Sequence, residues 1–183
     1  IILNRKKFLI KNEISRIRIK ENRDLIHGIR MNRNERVEDF LNFFLKKIFS
    51  KTKKYELGKY PDQSLIYKKL SKFLRIDIKK LLLTSGIDGS IKTIFEVLKK
   101  PGDRIGVLSP TYAMYKVYNG LFRTKLKEIK YDDLTFKLNK KDLLNYIKSS
   151  PDIIFLPNPN QPIEDPLDLR DLRKVCSLAK KYK

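Results

Sequence analysis

Short apolar runs alternate with amphipathic helical patterns from Leu81 to the end of the chain, and this alternation restricts the possible folds most. Four runs are predicted as strands, namely Leu81–Leu83, Arg104–Leu108, Lys125–Tyr131 and Ile153–Leu156. Apolar residues at helical spacing predict a helix after each strand, over 87–98, 112–122, 141–147 and 167–182. Strands that alternate with helices build a mostly parallel sheet with helices packed on its faces. The sequence therefore predicts a three-layer α/β fold.

The first part of the chain has a different pattern. Residues 1–34 are polar and basic, and only short ordered pieces are predicted there. Two helices are predicted next, over Val37–Ile48 and Ser64–Leu74. The residues predicted to face inward on the second helix are Leu65, Leu70 and Phe73. We predict an N-terminal helical or extended arm and helix over residues 1–54 and a larger domain over residues 55–183.

The formal charge of +21, from 42 basic and 21 acidic residues, raises the question of a nucleic-acid partner. The basic residues are mostly lysines that are spread through nearly every segment. Ile, Asn and Lys are over-used together, as in proteins from a compositionally biased genome. We therefore interpret the charge as a solvated surface, with a dedicated nucleic-acid surface as the alternative.

Cysteine and histidine are too few to suggest a disulfide framework or a His/Cys metal site. The one cysteine, Cys176, cannot form an internal disulfide, so a reducing cytoplasm is the predicted compartment. Its position near an apolar helix face predicts a small buried packing residue. No apolar run reaches the length of a transmembrane helix, and the first residues lack the features of a signal peptide.

Three predicted strands end in loops of unusual composition. The turn at 85–88 is Ser-Gly-Ile-Asp, and the other two loops are 109–112 and 157–162. Backbone N–H groups at the start of a helix favour a phosphate, and glycine allows close approach. Packing alone also places glycine at such turns, so both interpretations stay open at this point. Thr111 is predicted to cap the helix that follows it.

Four short motifs follow one another at characteristic intervals. They are Tyr60-Pro61-Asp62, Ser85-Gly86-Ile87-Asp88, Pro110-Thr111-Tyr112-Ala113-Met114-Tyr115 and Asn158-Pro159-Asn160-Gln161-Pro162. In this order they resemble the YP[DE], G-x-D, PTYxMY and NPNNPTG motifs of the fold-type I pyridoxal-phosphate enzymes. The resemblance is to the class I/II aminotransferases of the histidinol-phosphate aminotransferase branch. Met31–Glu35 is also similar to that family's LNxNE, so the resemblance covers most of the chain.

The resemblance implies that the cofactor is pyridoxal 5'-phosphate and that the sheet is part of the family's large domain. Gly86, Ile87 and Asp88 would hold its phosphate through backbone N–H groups. Tyr112 would stack on the pyridine ring. Tyr60 would reach the phosphate bound in the neighbouring subunit of a homodimer.

The asparagine loop departs from the family pattern. Asn160 and Gln161 would contact the cofactor, and Gln161 occupies the position that usually hydrogen-bonds its phenolic oxygen. Glutamine carries the same amide donor on a longer arm. Ile163 and Glu164 replace the Thr-Gly of the family, which indicates a rearranged turn.

The resemblance places the family's Schiff-base lysine, the aspartate that pairs with the pyridinium nitrogen and the substrate-binding arginine beyond Lys183. We therefore expect no catalytic residue within this chain, which would be the N-terminal portion of a longer enzyme. With one Cys and one His we also expect no metal site, although carboxylates could still bind Mg²⁺. The implied activity is transamination of an amino acid or an amino-alcohol phosphate. The alternatives are a decarboxylase of a phosphorylated amino acid with the same cofactor, a degenerate homologue, or a basic nucleic-acid-binding protein on an α/β scaffold.

Overall fold

The computed structural model describes residues 41–53, 55 and 57–182. Contacts divide these residues into two units, 41–83 and 84–182. Among the described helices, none combines the length and the apolar character that crossing a bilayer requires. The predicted arm and the similarity at Met31–Glu35 lie outside the described residues, and the domain boundary predicted between residues 54 and 55 stays a prediction.

The unit 41–83 contains two helices, α1 (Leu41–Lys51) and α2 (Ser64–Leu74), and a 3₁₀ turn at Ile78–Lys80. Helix α2 has the predicted bounds, and α1 ends three residues after the predicted end. The predicted inward orientation of α2 is wrong for Leu65 and Phe73, which are 60% and 82% exposed. Amphipathic spacing identifies residues that share a helix face, but it does not show that another element covers that face.

The predicted strand Leu81–Leu83 is wrong. These residues form no strand within the described part of the chain. The amide of Leu83 donates instead to the hydroxyl of Tyr67 on α2, at 2.9 Å. A strand exists only where a second backbone supplies hydrogen-bond partners, and here a side chain supplies the partner of Leu83.

The described residues of the unit 84–182 contain three parallel strands and four helices. The strands are β1 (Arg104–Ser109), β2 (Lys125–Lys130) and β3 (Ile153–Phe155). The helices are α3 (Gly86–Leu98), α4 (Met114–Leu121), α5 (Lys140–Lys148) and α6 (Leu169–Lys181). The sheet order is β2-β1-β3, with Ile105 aligned with Leu126 and Ile153. Every one of these elements lies within two residues of its predicted bounds.

Helices cover both faces of the central strand β1, whose side chains point alternately to one face and the other. Ile105 and Val107 belong to a cluster with side chains of α3 and α4. Leu108 belongs to a second cluster with side chains of α5 and α6. In the first cluster the rings of Phe95 and Phe155 stack with their centroids 5.5 Å apart. Burying a side chain of this size contributes about 1.5–3 kcal/mol. Helices on both faces confirm the predicted three-layer arrangement.

Helix α6 buries only part of its apolar face. Leu172, Val175 and Leu178 are half-buried against the second cluster, whereas Leu169 is 71% exposed. Cys176 is exposed, so its prediction as a buried residue is wrong. Successive helical residues are rotated by about 100°, which turns Cys176 away from the face that Val175 presents to the core.

Candidate functional site

The strands β1 and β3 are parallel neighbours, so the loops that follow them leave the same edge of the sheet. The loop after β1 leads from Pro110 to α4, and the loop after β3 covers residues 156–168. In open parallel sheets this edge is where ligands bind. The predicted site residues Tyr112, Asn160 and Gln161 all lie in these two loops.

Asn160 joins the two loops. Its Nδ2 donates to the carbonyl of Pro110 at 2.8 Å, and its Oδ1 accepts from the hydroxyl of Thr111 at 2.7 Å. We call these two hydrogen bonds the loop clasp. The prediction that Thr111 caps the next helix is wrong, because α4 begins at Met114 with Ala113 before it. The Thr111 hydroxyl bonds instead to a residue 49 positions later in the sequence.

Side-chain hydrogen bonds also fix the loop after β3. Asn158 Oδ1 accepts from the amide of Leu167 at 2.8 Å, and Asn158 Nδ2 donates to the carbonyl of the same residue at 3.1 Å. Asp165 accepts from the amide of Leu138 at 2.9 Å and from Lys137 Nζ at 3.0 Å. The Leu138 amide, followed by Lys137, lowers the pKa of Asp165. This loop is therefore tied both to itself and to the segment after β2.

The carboxylate of Glu128 on β2 binds Ser109, the residue of β1 from which the Tyr112 loop starts. The hydroxyl of Ser109 donates to Glu128 Oε1 at 2.9 Å, and Lys116 Nζ of α4 lies 2.6 Å from the same oxygen. The hydrogen bond from Lys116 contributes most to lowering the pKa of Glu128, and Ser109 adds to it. An ionised Glu128 thus connects the end of β1, strand β2 and the first turn of α4.

The first turn of α3 has the features of an anion site. Helix α3 begins at Gly86, which has a φ of +70° that L side chains rarely adopt. Within the described residues the Ser85 side chain makes no capping hydrogen bond to this turn, and Ser85, Gly86 and Ile87 are exposed. The hydroxyl of Thr84 donates to the carbonyl of Gly86 at 2.9 Å, and the amide of Gly86 donates to the carbonyl of Thr84 at 2.8 Å. The N–H of Gly86 is therefore already bonded within the chain, which leaves the amides of Ile87 and Asp88 as the donors of this turn. Exposed, uncapped amides at the start of a 13-residue helix favour a negatively charged ligand.

Asp88 is the acidic residue of the same turn, and α4 determines where its carboxylate lies. The hydroxyl of Tyr118 donates to Asp88 Oδ1 at 3.1 Å. Burial, together with the Asp88 carboxylate, raises the pKa of Tyr118, so its hydroxyl stays a donor. Tyr112 is half-buried and stands edge-on to Tyr115, with ring centroids 6.5 Å apart. Helix α4 thus contacts both the start of α3 and the ring of Tyr112.

The predicted site residues of the unit 84–182 fall into two places. Gly86–Asp88 forms the first turn of α3, while Tyr112, Asn160 and Gln161 lie in the two clasped loops. Asn160 is buried, at 2% exposure, and Gln161 is exposed. Tyr60 belongs to the unit 41–83, where its side chain is fully exposed.

Sequence reasoning missed Thr111 and Tyr118 as parts of the site. Their partners Asn160 and Asp88 lie 49 and 30 positions away, so no local pattern carried a signal for either contact. The described residues contain no group of three or more His, Cys, Asp or Glu side chains that could hold a metal ion.

Comparison with known proteins identifies a matching protein family, similar curated proteins and solved structures that share the fold. The family model described as aminotransferase class I and II matches residues 38–183. Histidinol-phosphate aminotransferase of Methanocaldococcus jannaschii is 33% identical over 126 residues, which cover 67% of this chain and 34% of that protein. Histidinol-phosphate aminotransferase of Sulfurisphaera tokodaii is 30% identical over 164 residues, covering 85% of this chain and 44% of that protein. The chain thus spans between a third and a half of the length of these curated relatives.

Solved structures share the fold at low sequence identity. Cystalysin from Treponema denticola, which contains a pyridoxal 5'-phosphate cofactor, matches 79% of this chain and 38% of its own, with a TM-score of 0.65 and 19% identity. Histidinol-phosphate aminotransferase from Sinorhizobium meliloti, in complex with pyridoxal-5'-phosphate, matches 77% of this chain and 37% of its own, with a TM-score of 0.64 and 15% identity. These similarities confirm the predicted α/β fold.

Proposed function

Because the chain belongs to the aminotransferase class I and II family, we propose that its unit 84–182 holds the phosphate and the ring of pyridoxal 5'-phosphate. The proposed activity of the whole protein is transamination of an amino acid or an amino-alcohol phosphate, with histidinol phosphate as the model substrate. The names of the curated relatives and the order of the four sequence motifs support this proposal.

One observation carries the proposal, namely the exposed and uncapped first turn of α3. The phosphate group needs hydrogen-bond donors without a competing side chain, and this turn offers backbone N–H groups together with the positive end of the helix dipole. Apart from the adjoining residues and the backbone of α3 itself, the described residues place no atom within 4 Å of the position that a Cβ on Gly86 would occupy, so space for a ligand exists there. The residues present therefore fit a phosphate group.

Two loop residues would contact the rest of the cofactor. The ring of Tyr112 is held edge-on by Tyr115 and is suited to lie against a flat heteroaromatic ring. Gln161 is exposed beside the loop clasp and carries an amide that can donate to a phenolic oxygen. Pyridoxal 5'-phosphate, when bound, supplies an electron sink for the bonds at the α-carbon of an amino substrate.

The chain's own residues would bind and orient the cofactor. Backbone amides of Ile87 and Asp88 would hold the phosphate, and Tyr118 would keep the Asp88 carboxylate bonded to α4. The side chain of Tyr112 would orient the pyridine ring of the cofactor. We propose further that two copies form a homodimer in the cytoplasm and that Tyr60 of one copy reaches the phosphate bound by the other. Full exposure leaves the Tyr60 side chain free for such a contact.

The proposal is tested by comparing two ligands that differ only in the phosphate. We expect the full chain to bind pyridoxal 5'-phosphate at least about tenfold more tightly than pyridoxal, because hydrogen bonds to a charged group contribute about 1.5–3 kcal/mol. Isothermal titration calorimetry measures both affinities. Equal affinities for the two ligands would contradict the phosphate role of α3.

A proline scan of two helix starts gives a matched control. Ile87→Pro removes one backbone donor from the first turn of α3, where the N–H has no partner within the helix. Leu169→Pro makes the same change in the first turn of α6, which also has 13 residues and is exposed at that position. We expect about a tenfold loss of affinity for pyridoxal 5'-phosphate in Ile87→Pro and none in Leu169→Pro. Equal effects of the two variants would argue against a specific site at α3.

A further inference from the structure

We infer that Asn160 is a positioning residue, which fixes the loop carrying Tyr112 relative to the loop carrying Gln161, and that it does not contact the cofactor itself. This inference rests on the proposed function, because Tyr112 and Gln161 are the residues proposed to contact the cofactor. It revises the expectation that Asn160 and Gln161 act in the same way.

The hydrogen bonds of Asn160 are directed within the protein. Its side chain is only 2% exposed, and both polar atoms of the amide are bonded, Nδ2 to Pro110 and Oδ1 to Thr111. A buried amide is stable only when its donors and acceptor are satisfied, so both bonds hold the amide where it is. Little surface remains on Asn160 for a ligand.

The clasp joins the residues that directly precede the two proposed contacts. Thr111 precedes Tyr112, and Asn160 precedes Gln161, so a displacement at the clasp is passed on to both contacts. Each loop is also held by a hydrogen bond of its own, Ser109 with Glu128 in one loop and Asn158 with Leu167 in the other. The clasp is thus a direct side-chain connection between the two loops.

A single fluorescent reporter can test whether the clasp holds the Tyr112 loop. The chain contains no tryptophan, so Tyr112→Trp introduces one aromatic reporter at the loop itself. In that background we expect Asn160→Ala to lower the steady-state anisotropy of the reporter and to increase its acrylamide quenching about twofold. An unchanged reporter in a folded Asn160→Ala protein would overturn the inference.

The chain offers a matched control at the opposite end of the sheet. Thr124, which precedes β2, is buried at 9% exposure and donates to Asn119 Oδ1 at 2.7 Å. Thr124→Val therefore removes the same type of threonine–asparagine hydrogen bond, at the end of the sheet opposite to the clasp. We expect this variant to be destabilised about as much as Thr111→Val, with no change at the reporter. A reporter that responds equally to both variants would show a general loss of packing and would overturn the inference.

A double-mutant cycle separates positioning from direct contact. If Asn160 acts through the clasp, Thr111→Val and Asn160→Ala should each weaken binding of pyridoxal 5'-phosphate about tenfold, and together much less than the hundredfold product expected for independent effects. Losses that multiply would show that Asn160 acts independently of Thr111, which would overturn the inference. If the wild-type chain does not bind pyridoxal 5'-phosphate, the proposed function fails, while the reporter still decides whether the clasp holds the loop.

Discussion

Tyr146 of α5 lies directly over Gly106 of β1, so closely that no side chain fits between them. A Cβ at position 106 would lie 2.5 Å from Tyr146 Cε1 and 3.3 Å from Ile154 Cγ1. Gly106 is the residue of the central strand whose missing side chain lets α5 approach the sheet. The same strand ends at the loop that carries Tyr112, so this contact fixes how closely α5 packs against the strand that leads into the site.

Gly106→Ala should lower the free energy of unfolding by about 1–3 kcal/mol, because an added methyl group must displace the Tyr146 ring in a packed interior. Urea denaturation measures the change. Gly89→Ala is the control, since a Cβ there would meet its neighbours at 3.5 Å, an ordinary contact, and alanine favours the helix. Stability of Gly106→Ala equal to that of the wild type would show that the ring moves at no cost.

Tyr131→Phe should leave the free energy of unfolding unchanged or raise it by about 1 kcal/mol, because it removes a buried polar atom without a partner. Tyr131 is 5% exposed, and among the described residues its hydroxyl makes no hydrogen bond of normal geometry, although the Asn160 side chain lies near enough to oppose the rise in its pKa. Burial raises the pKa of this hydroxyl, so it is neutral near pH 7. Denaturation by urea tests the prediction. A loss of more than about 1 kcal/mol would mean that the hydroxyl is bonded in solution.

Glu128→Gln should destabilise the chain near pH 7 but much less in acid. The folded state lowers the pKa of Glu128 below its ordinary value of 4.5, so the ionised carboxylate stabilises the fold above that pH. This contribution is lost as the pH falls through the lowered pKa, where the wild-type side chain also becomes neutral. Urea denaturation at several pH values compares the two proteins.

The pH dependence has an internal control in α3. Lys92 and Glu96 form an ion pair 3.2 Å long whose side chains are 50% and 47% exposed. Exposed pairs contribute little to stability, so Glu96→Gln should resemble the wild type at every pH. A constant difference between Glu128→Gln and the wild type from neutral to acidic pH would show that the carboxylate charge is not what stabilises this region.

Tyr118→Phe should weaken binding of pyridoxal 5'-phosphate about three- to tenfold. The substitution removes the hydrogen bond that holds the Asp88 carboxylate against α4, so the carboxylate is free to approach the bound phosphate. Two like charges at close range in water repel by about 1 kcal/mol. Calorimetric titration measures the affinity. Adding Asp88→Asn to Tyr118→Phe should restore most of the loss by removing the negative charge. If the double variant binds as weakly as Tyr118→Phe alone, then Tyr118 acts through packing and the charge is irrelevant.

Much of the element order could be predicted from the sequence. Helix α2 has the predicted bounds, the strands after Leu83 lie within one residue of prediction, and the three-layer arrangement is confirmed. These features follow from the spacing of apolar residues, which is a local property of the chain. The first turn of α3 was also identified in this way, because a glycine before a helical pattern is a local signal.

Tertiary structure alone decided which of these local signals had a partner. Leu81–Leu83 has the composition of a strand but is bonded to Tyr67 instead, and the apolar Phe73 stays exposed. Thr111 is a residue type that often caps helices, yet its hydroxyl donates to the side chain of Asn160. The spacing of apolar residues predicts helices and strands, because it is a local property. A hydrogen bond between residues 49 positions apart depends instead on where the fold places both loops. The sequence by itself therefore determined the elements that follow Leu83 and the family resemblance, and the fold determined how the two loops of the site are joined.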